Sequence, residues 1–351
     1  MLYVGVDAAT RESQITVMDE TGKVLKRRRV PSTREGIQDA LGRYRQPLKA
    51  VVEASYNWGP IYDWLDEVAE EVVLAHPTKV RAIAEARIKT DTIDSETLAH
   101  LLRANLIPAA YAPSKDMRAR KRVLRQRMFF VRLRTMVKNR IQALLSQHAL
   151  ELPEVSDLYG KEGLYWLRDL TLPDPDGRLL QEDLTLLVML TERIAATEHH
   201  IKELAADDEA VRWLESLPGI GKFFSVLIRY EVDDITRFRE AKKFASYTGL
   251  VPSTYASGQR MMHGRLTKQG NKYLRWAFIE AVSPAIRYSP FLRRSYERIK
   301  ARLGVKEART ATARKLAELT WTVWTERRCW QEHQRPTQDS KTPAALVTSW
   351  A

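Results

Sequence analysis

The sequence predicts a small α/β domain, then long helices, then a mainly helical C-terminal domain. Strand and helix signals alternate over residues 1–110, which is typical of a mixed sheet flanked by helices. Near residue 115 the composition changes abruptly to a long basic segment with helical periodicity. A Leu-Pro-Gly turn at 217–219 then opens a third region. We expect domains at 1–110, 111–208 and 209–330, and a polar, loosely ordered tail at 331–351.

Each element of the first domain follows from a local pattern. Short apolar runs predict strands, a Glu-Thr-Gly turn predicts a hairpin, and apolar residues three or four apart predict helices. The predicted strands are 2–6, 13–18, 23–30, 49–53 and 71–75, and the predicted helices are 37–44, 61–70, 78–87 and 94–104. In such sheets active sites lie at the carboxyl ends of strands.

The rest of the chain is predicted to be mainly helical. One long helix starts at residue 115, a loop occupies 150–177, and a second long helix covers 182–206. Two such helices suit an antiparallel hairpin or a coiled coil, which could also dimerise. Shorter helices are expected at 223–230 and 273–282.

Composition limits the class of protein. With 351 residues, 44% of them hydrophobic, the chain suits a globular protein of two or three domains. We expect a cytoplasmic protein without membrane contact, because neither a membrane-spanning apolar run nor a signal-peptide pattern occurs. The single cysteine, Cys329, excludes internal disulfides and cysteine-based zinc sites, and the seven histidines are scattered.

The charge of the chain is distributed unevenly. The net charge is +13, which favours a polyanionic partner, although a membrane surface or simple solubility would explain it equally. Residues 1–110 hold 15 Lys and Arg against 16 Asp and Glu, whereas the remainder holds 42 against 28. The basic surface is therefore expected outside the first domain.

Four acids in the first domain form the candidate active site. Asp7 and Glu53 each end a predicted strand, and Asp91 and Asp94 lie three apart where a helix is expected to begin. Four carboxylates converging from two strands and a helix would make an all-oxygen site for one or two Mg²⁺ (or Mn²⁺) ions. Such ions serve in-line attack on a phosphodiester. The alternative is that Asp94 is a helix N-cap and Asp91 a solvated turn residue.

Basic residues of the long helix are candidate phosphate contacts, because the segment has no acid between Asp116 and Glu151. The alternative is a solvated helical spacer. The candidates are Arg118, Lys121, Arg122, Arg125, Arg132 and Lys138.

The turn at residues 217–222 offers a second kind of phosphate contact. Gly219, Gly221 and Lys222 open a predicted helix, where free backbone N–H groups can bind a phosphate oxygen. The pattern resembles helix-hairpin-helix modules that hold DNA backbones. An ordinary Pro-Gly turn between helices explains it equally well.

A serine in the third region is a candidate nucleophile. Ser257 precedes a glycine on an expected loop, and cations nearby would stabilise a pentacoordinate phosphorus. Most Ser-Gly pairs are ordinary turns. The nearby cations are Arg260, Arg265, Lys268 and Arg275.

The motifs together carry a resemblance to a known family. They are, in order, Gly-Val-Asp7, Val-Val-Glu53-Ala-Ser, Lys-Thr-Asp91-Thr-Ile-Asp94, Leu-Pro-Gly-Ile-Gly, Tyr-Ala-Ser257-Gly and Gly-Arg-Leu-Thr-Lys-Gln-Gly-Asn-Lys-Tyr-Leu-Arg275. From residue 2 to about 325 the chain resembles insertion-sequence transposases that join an RNase H/RuvC-like DEDD domain to a serine-bearing transposase domain, a group that includes pilin-gene invertases.

The resemblance implies a recombinase of mobile DNA. The four acids would hold Mg²⁺, and Ser257 would become linked to the DNA strand. The coiled coil would assemble dimers or tetramers, pairing the acids of one subunit with the serine of another. A structured guide (bridge) RNA would pair with donor and target DNA. Where relatives often have Lys after the first Asp and Ala-Thr-Gly after the Glu, this chain has 8–10 Ala-Ala-Thr and 54–56 Ala-Ser-Tyr.

Three other functions fit the same predicted fold. A junction resolvase would use the four acids and water, leaving Ser257 as a turn residue. A non-catalytic nucleic-acid-binding protein would use the acids as structural caps. An actin-like ATPase is disfavoured, because the further glycine-rich phosphate loops that it needs are missing from the sequence.

Overall fold

The computed structural model of the protein describes residues 1–84, 90–257, 260–267 and 269–331, and for 254–257, 260–263 and 265 it describes the backbone alone. The chain divides into two compact units, Met1–Asp116 and a second that begins at Met117. Each has its own hydrophobic cores. The further boundary expected at residue 208 stays a prediction.

The first unit is built on a mixed sheet, as predicted. Its strands are β1 (Leu2–Asp7), β2 (Glu12–Met18), β3 (Val24–Pro31), β4 (Leu48–Glu53) and β5 (Glu71–Ala75). Within the described residues their order is β3-β2-β1-β4-β5. Strands β1, β2 and β3 pair antiparallel, whereas β1, β4 and β5 pair parallel. The parallel strands therefore end at one edge of the sheet.

Helices cover both faces of this sheet. They are α1 (Arg34–Leu41), α2 (Trp58–Asp66), α3 (Pro77–Ile83) and α4 (Asp91–Arg103). Apolar residues of α1 and α2 pack with Val4 and Val6 of β1, and those of α3 and α4 pack with Val51 of β4 on the opposite face. The sheet is thus buried between two helical layers. Helix α3 ends at Ile83, before the predicted end, and residues 85–89 lie outside the described ones.

The second unit is mainly helical. Its elements are α5 (Lys115–Gln147), α6 (Lys161–Asp169), α7 (Asp176–Leu204), α8 (Glu209–Glu215), α9 (Lys222–Val232), α10 (Ala241–Tyr247), β6 (Pro252–Ser257), β7 (Arg260–Leu266), α11 (Lys272–Tyr288), α12 (Pro290–Leu303) and α13 (Val305–Thr325). Two expectations were wrong. The expected loop at 150–177 contains α6, because Leu164 and Leu167, one turn apart, pack in the core beside α5 and α7. The expected loop around Ser257 is an antiparallel hairpin of β6 and β7.

Helices α5 and α7 form an antiparallel pair. Arg127 pairs with Glu198, and Arg140 pairs with Asp183 at 2.8 Å. As residue numbers rise along α5, the numbers of the partners on α7 fall, so the two helices run in opposite directions. Ile141 of α5 packs in the same core as leucines of α7. Coiled-coil assembly between subunits stays a prediction. Among the described helices, none combines the length and apolar character that a bilayer crossing needs.

Candidate active site

Asp7 and Glu53 lie side by side at one edge of the mixed sheet. Each ends its strand, and the parallel register of β1 and β4 brings the two strand ends level. Asp7 lies opposite Gln14 of β2, which in turn lies opposite Arg29 of β3. Neighbouring residues in register point to the same face, and here that face is covered by α4. The sheet therefore presents a row of four polar side chains to α4.

Helix α4 presents the other two acids. Thr90 is its N-cap, and the Thr90 hydroxyl accepts a hydrogen bond from the Ile93 N–H at 3.3 Å. Asp91 and Asp94 therefore occupy the first helical turn, as the sequence predicts. Since the cap is a threonine, Asp94 is not needed for capping.

Close contact between backbones fixes the position of α4 on the sheet. A Cβ on Gly5 would lie 1.9 Å from the Ser95 carbonyl oxygen and 2.7 Å from the Ala99 nitrogen, so only glycine allows this approach. The buried Thr16 and Ser95 hydroxyl oxygens are hydrogen-bonded at 2.8 Å. These two contacts set the distance between the first turn of α4 and the ends of β1 and β4.

The other three acids influence the ionisation of Asp7. The pKa of Asp7 is raised from 3.8 to about 6, first by burial and then by the negative charges of Asp91, Asp94 and Glu53. Burial disfavours the charged carboxylate, and like charges add to that effect. Without a cation, ionised Asp7 is thus unfavourable in the folded state.

Two arginines of β3 pair with α4. The Arg29 guanidinium donates to the Asp91 carboxylate at 2.6 Å, and both side chains are more than half exposed. Arg27 donates to Glu96 at 2.7 Å, so Glu96 is engaged by an arginine. Arg29 therefore supplies a positive charge at the edge of the acid cluster.

The acid cluster fits a divalent cation by its donor chemistry. Carboxylate oxygens are hard ligands of the kind that Mg²⁺ and Mn²⁺ take. The pKa of Asp7 is raised first by burial and then by neighbouring negative charges, and a cation would offset both effects. In the described part of the chain, however, no three acids or histidines are gathered closely enough to hold one ion. One ion held by three or more of these carboxylates would need them closer together than the structure has them.

The β6–β7 hairpin is anchored at its base. The side chains of Ser257, Arg260 and Arg265, and all of Lys268, lie outside the described residues. Near the base, the Asn271 N–H donates to the Tyr247 carbonyl at 2.9 Å. Gly249 has φ +72°, and a Cβ there would lie 2.7 Å from Arg275 Nη1. Arg275 is thus packed against the chain that leads into the hairpin.

A buried carboxylate links α5 to the start of α11. Glu231 is 1% exposed, and its oxygens accept from Arg125 Nε and Nη2 at 3.0 and 3.1 Å and from Asn271 Nδ2 at 2.8 Å. Lys121 is also largely buried, and burial lowers its pKa while Glu231 opposes the change. Nucleic-acid contact by Lys121 and Arg125 stays a prediction, and the structure gives Arg125 an internal partner.

The remaining basic candidates on α5 have varied surroundings. Arg122 and Arg132 are exposed and make no ion pair with any residue that the structure describes. Arg118 is half-buried. The Lys138 ammonium lies 4.4 Å from the centre of the Tyr159 ring. Arg122 and Arg132 are therefore the most available of the predicted phosphate contacts.

The turn between α8 and α9 borders a groove of about 850 Å³. Gly219 has φ +84°, and a Cβ there would lie 2.3 Å from the Ala281 carbonyl oxygen. Gly221 is the N-cap of α9, makes no side-chain capping bond, and an added Cβ would meet nothing within 4 Å. Lys222 and the exposed Trp276 also line the groove. The N–H groups that open α9 thus border open space.

Two segments of the chain match families of known proteins. Residues 4–149, which contain the four acids, match the IS110 DEDD transposase family. Residues 211–297, which contain the groove turn and the hairpin, match the IS116/IS110/IS902 transposase family. The chain belongs to the IS110/IS116 family of transposases. The protein is therefore a DNA transposase with an N-terminal DEDD domain.

Relatives of this transposase align over most of its length. It is similar to the "Probable family 20 transposase" of Pseudomonas aeruginosa, at 27% identity over 81% of this chain and 84% of the relative. It is similar to the transposase for insertion sequence element IS1111A of Coxiella burnetii, at 25% identity over 92% and 89%. The transposase for IS1328 of Yersinia enterocolitica is 23% identical over 92% and 96%.

Three residues at the acid cluster of the transposase were missed by sequence reasoning. Gly5 had a signal, because glycine inside a strand often marks a close backbone approach. Gln14 had a weaker one, as a polar residue in an apolar strand that proves to be 8% exposed. Arg29 had none, because its partner Asp91 is 62 residues away in sequence.

Proposed function

We propose that this transposase cleaves and rejoins DNA strands, with Asp7, Glu53, Asp91 and Asp94 holding Mg²⁺ or Mn²⁺ and Ser257 as nucleophile. The observation that carries the metal role is the pKa of Asp7, raised to about 6 by burial and by the other three acids. A bound divalent ion would neutralise charge on the reacting phosphate. Donor and target DNA are the substrates.

Each residue group has a separate task in this proposal. The four carboxylates hold and orient the cation. The Ser257 hydroxyl gives up its proton and its oxygen forms a bond to phosphorus. The bond from phosphorus to the leaving strand oxygen breaks, and this oxygen takes up a proton and departs as a hydroxyl. Arg260, Arg265, Lys268 and Arg275 balance the negative charge that develops on the phosphoryl oxygens.

A covalent adduct tests the serine. The full-length protein is incubated with Mg²⁺, element-end DNA and the RNA encoded beside it, and protein-linked DNA is measured on denaturing gels. Ser257→Ala should abolish the adduct and strand exchange. Ser246→Ala is the matched control, because Ser246 is an exposed serine of α10, and it should act as wild type. An adduct that persists in Ser257→Ala contradicts the serine role.

A junction-resolving endonuclease is the second candidate. It is favoured by the fact that all four acids belong to the first unit, so that metal-activated water would suffice. In that case Ser257→Ala leaves strand cleavage intact and no adduct forms with wild type. Asp94→Asn abolishes cleavage under both candidates.

Nucleic-acid binding is assigned to two surfaces. The α5 cations with the most access, Arg122 and Arg132, would contact DNA or guide RNA, and the N–H groups of Gly219, Gly221 and Lys222 would contact phosphate. Affinity should fall steeply between low and moderate salt, because bound cations displace counterions. Arg122→Gln with Arg132→Gln should make that dependence shallower. An unchanged salt slope would remove α5 from the binding surface.

Guidance and assembly complete the proposal. An element-encoded RNA would pair with donor and target DNA, so omission of the RNA should abolish site-specific exchange. The α5–α7 pair would join subunits into dimers or tetramers in the cytoplasm. Light scattering of the purified protein tests the assembly, and a monomer with and without nucleic acid would exclude it.

A further inference from the structure

Tyr56 is fully exposed on the loop that follows Glu53. Its exposed fraction is 100%, the largest of any large hydrophobic side chain that the structure describes, and Tyr165 is next at 76%. An aromatic ring left in water forgoes the burial that normally stabilises it. A ring displayed in this way on the loop that follows Glu53 is available to bind substrate.

The exposure is particular to Tyr56 within its segment. Trp58 and Tyr62, on the helix that follows, pack edge to face with ring centres 5.9 Å apart. Among the described residues Tyr56 has no such ring contact and no side-chain hydrogen bond. The aromatic rings nearby therefore stabilise the fold, whereas the ring of Tyr56 does not.

The loop that carries Tyr56 is tied to the sheet. The Ala54 N–H donates to a β5 carbonyl at 3.0 Å. Asn57 Nδ2 donates to the Ala9 carbonyl at 2.7 Å, in the loop that follows β1, and the same carbonyl accepts from Ser32 Oγ at 2.8 Å. The loops that follow Asp7 and Glu53 are thus joined, so Tyr56 lies in a loop that is fixed to the ends of these two strands.

We propose that Tyr56 binds DNA by stacking on a nucleobase next to the phosphate held at the four acids. This inference rests on the proposed function. Carboxylates repel a DNA backbone, so an attraction that does not depend on charge favours binding at this edge of the sheet. Stacking on an aromatic ring supplies it, and it needs a base that is free of its own stack. The ligand is therefore an unpaired or frayed strand.

Photo-crosslinking tests the stacking contact. The probe is a single-stranded thymidine oligonucleotide with one 5-iododeoxyuridine. It is mixed with the full-length protein and Ca²⁺ and irradiated, and the crosslinked residue is then identified by mass spectrometry. We expect a crosslink at Tyr56. Tyr56→Ala should lower the crosslinking yield about tenfold, since one stacked base contributes that much, and Tyr56→Phe should keep it. Tyr165→Ala, an exposed control on α6, should match wild type.

Two outcomes would overturn the proposal. One is a wild-type crosslinking yield with Tyr56→Ala, and the other is a loss with Tyr56→Phe as large as with Tyr56→Ala. If the unchanged yield comes with a change in oligomeric mass, the ring contacts a second copy of the chain instead. Asp7→Asn separates this inference from the proposed function: if it still cleaves DNA, the acid site fails whatever the crosslink shows.

Discussion

Replacing Asp7 by Asn should stabilise the metal-free protein while it abolishes strand cleavage. The pKa of Asp7 is raised from 3.8 to about 6, so the folded state binds a proton more tightly than the unfolded state does. The contribution of Asp7 to stability is therefore greatest below pH 3.8, falls as the pH rises toward 6, and stays low above it. Asn carries no charge, so the Asp7→Asn protein does not lose this stability as the pH rises.

The magnitude follows from the size of the shift. A change of two pKa units corresponds to about 3 kcal/mol, and because Asp7 is partly exposed we discount this to about 1 kcal/mol. For a unit of this size that gain raises Tm by about 4 °C at pH 7.5. At pH 4.5 the gain should shrink to about a third, because Asp7 is already protonated in the folded state.

Thermal unfolding in EDTA, followed by circular dichroism at both pH values, measures the effect. Asp19→Asn is the matched control, because hydrogen bonds from Thr21 lower the pKa of Asp19, and its loss should not stabilise. Added Mg²⁺ should raise the Tm of wild type more than that of Asp7→Asn. If Asp7→Asn has the wild-type Tm or a lower one at pH 7.5, the acids are not crowded as described.

Three further substitutions test other contacts. Gly5→Ala should destabilise the first unit by about 3 kcal/mol or more, since its Cβ would lie 1.9 Å from a backbone oxygen of α4, and denaturant unfolding measures this. Arg29→Met should raise Mn²⁺ affinity several-fold by calorimetry, because it frees Asp91 from a 2.6 Å ion pair that contributes about 1 kcal/mol or less. Glu231→Gln should cost about 1.5 kcal/mol in thermal unfolding, because the half-exposed Arg125 guanidinium loses its charged hydrogen-bond partner.

Each of these has a control and a contrary result. Gly221→Ala should cost only about 0.5 kcal/mol, for the loss of a glycine N-cap, because its Cβ meets nothing within 4 Å. Equal losses of stability in Gly5→Ala and Gly221→Ala would show that the close contact at Gly5 is not the cause of the loss. Arg28→Met, on the same strand as Arg29, should leave Mn²⁺ affinity unchanged. An equal rise in affinity with Arg28→Met would mean that removal of any nearby positive charge has this effect. A Glu231→Gln protein as stable as wild type would mean that the ion pair between Arg125 and Glu231 contributes nothing to stability.

The acid cluster was predictable because local signals are strong there. Apolar strands that end in Asp7 and Glu53, and a helix start at Asp91, can each be identified within a few residues of sequence. The cross-sheet row that includes Gln14 and Arg29 was not predictable, because strand register depends on residues far apart in the chain.

Long-range pairing also explains what was missed in the second unit. The arginines of α5 look alike in sequence, yet Arg125 and Arg127 pair with carboxylates more than 70 residues away. The β6–β7 hairpin is not predicted from the sequence, because polar residues interrupt the apolar pattern of both strands. The local sequence pattern identifies a helix or strand, but its tertiary contacts determine which of its side chains are exposed.

The contact beneath α4 has a consequence for how this enzyme can diverge. At Gly5 the backbone of β1 lies directly against the backbone of α4. A larger residue at this position therefore cannot be accommodated by shortening a neighbouring side chain. Glycine is thus required at position 5, whereas the sequences of the surrounding loops can vary. Mutagenesis aimed at new insertion targets would do best to spare that crossing and randomise the loops instead.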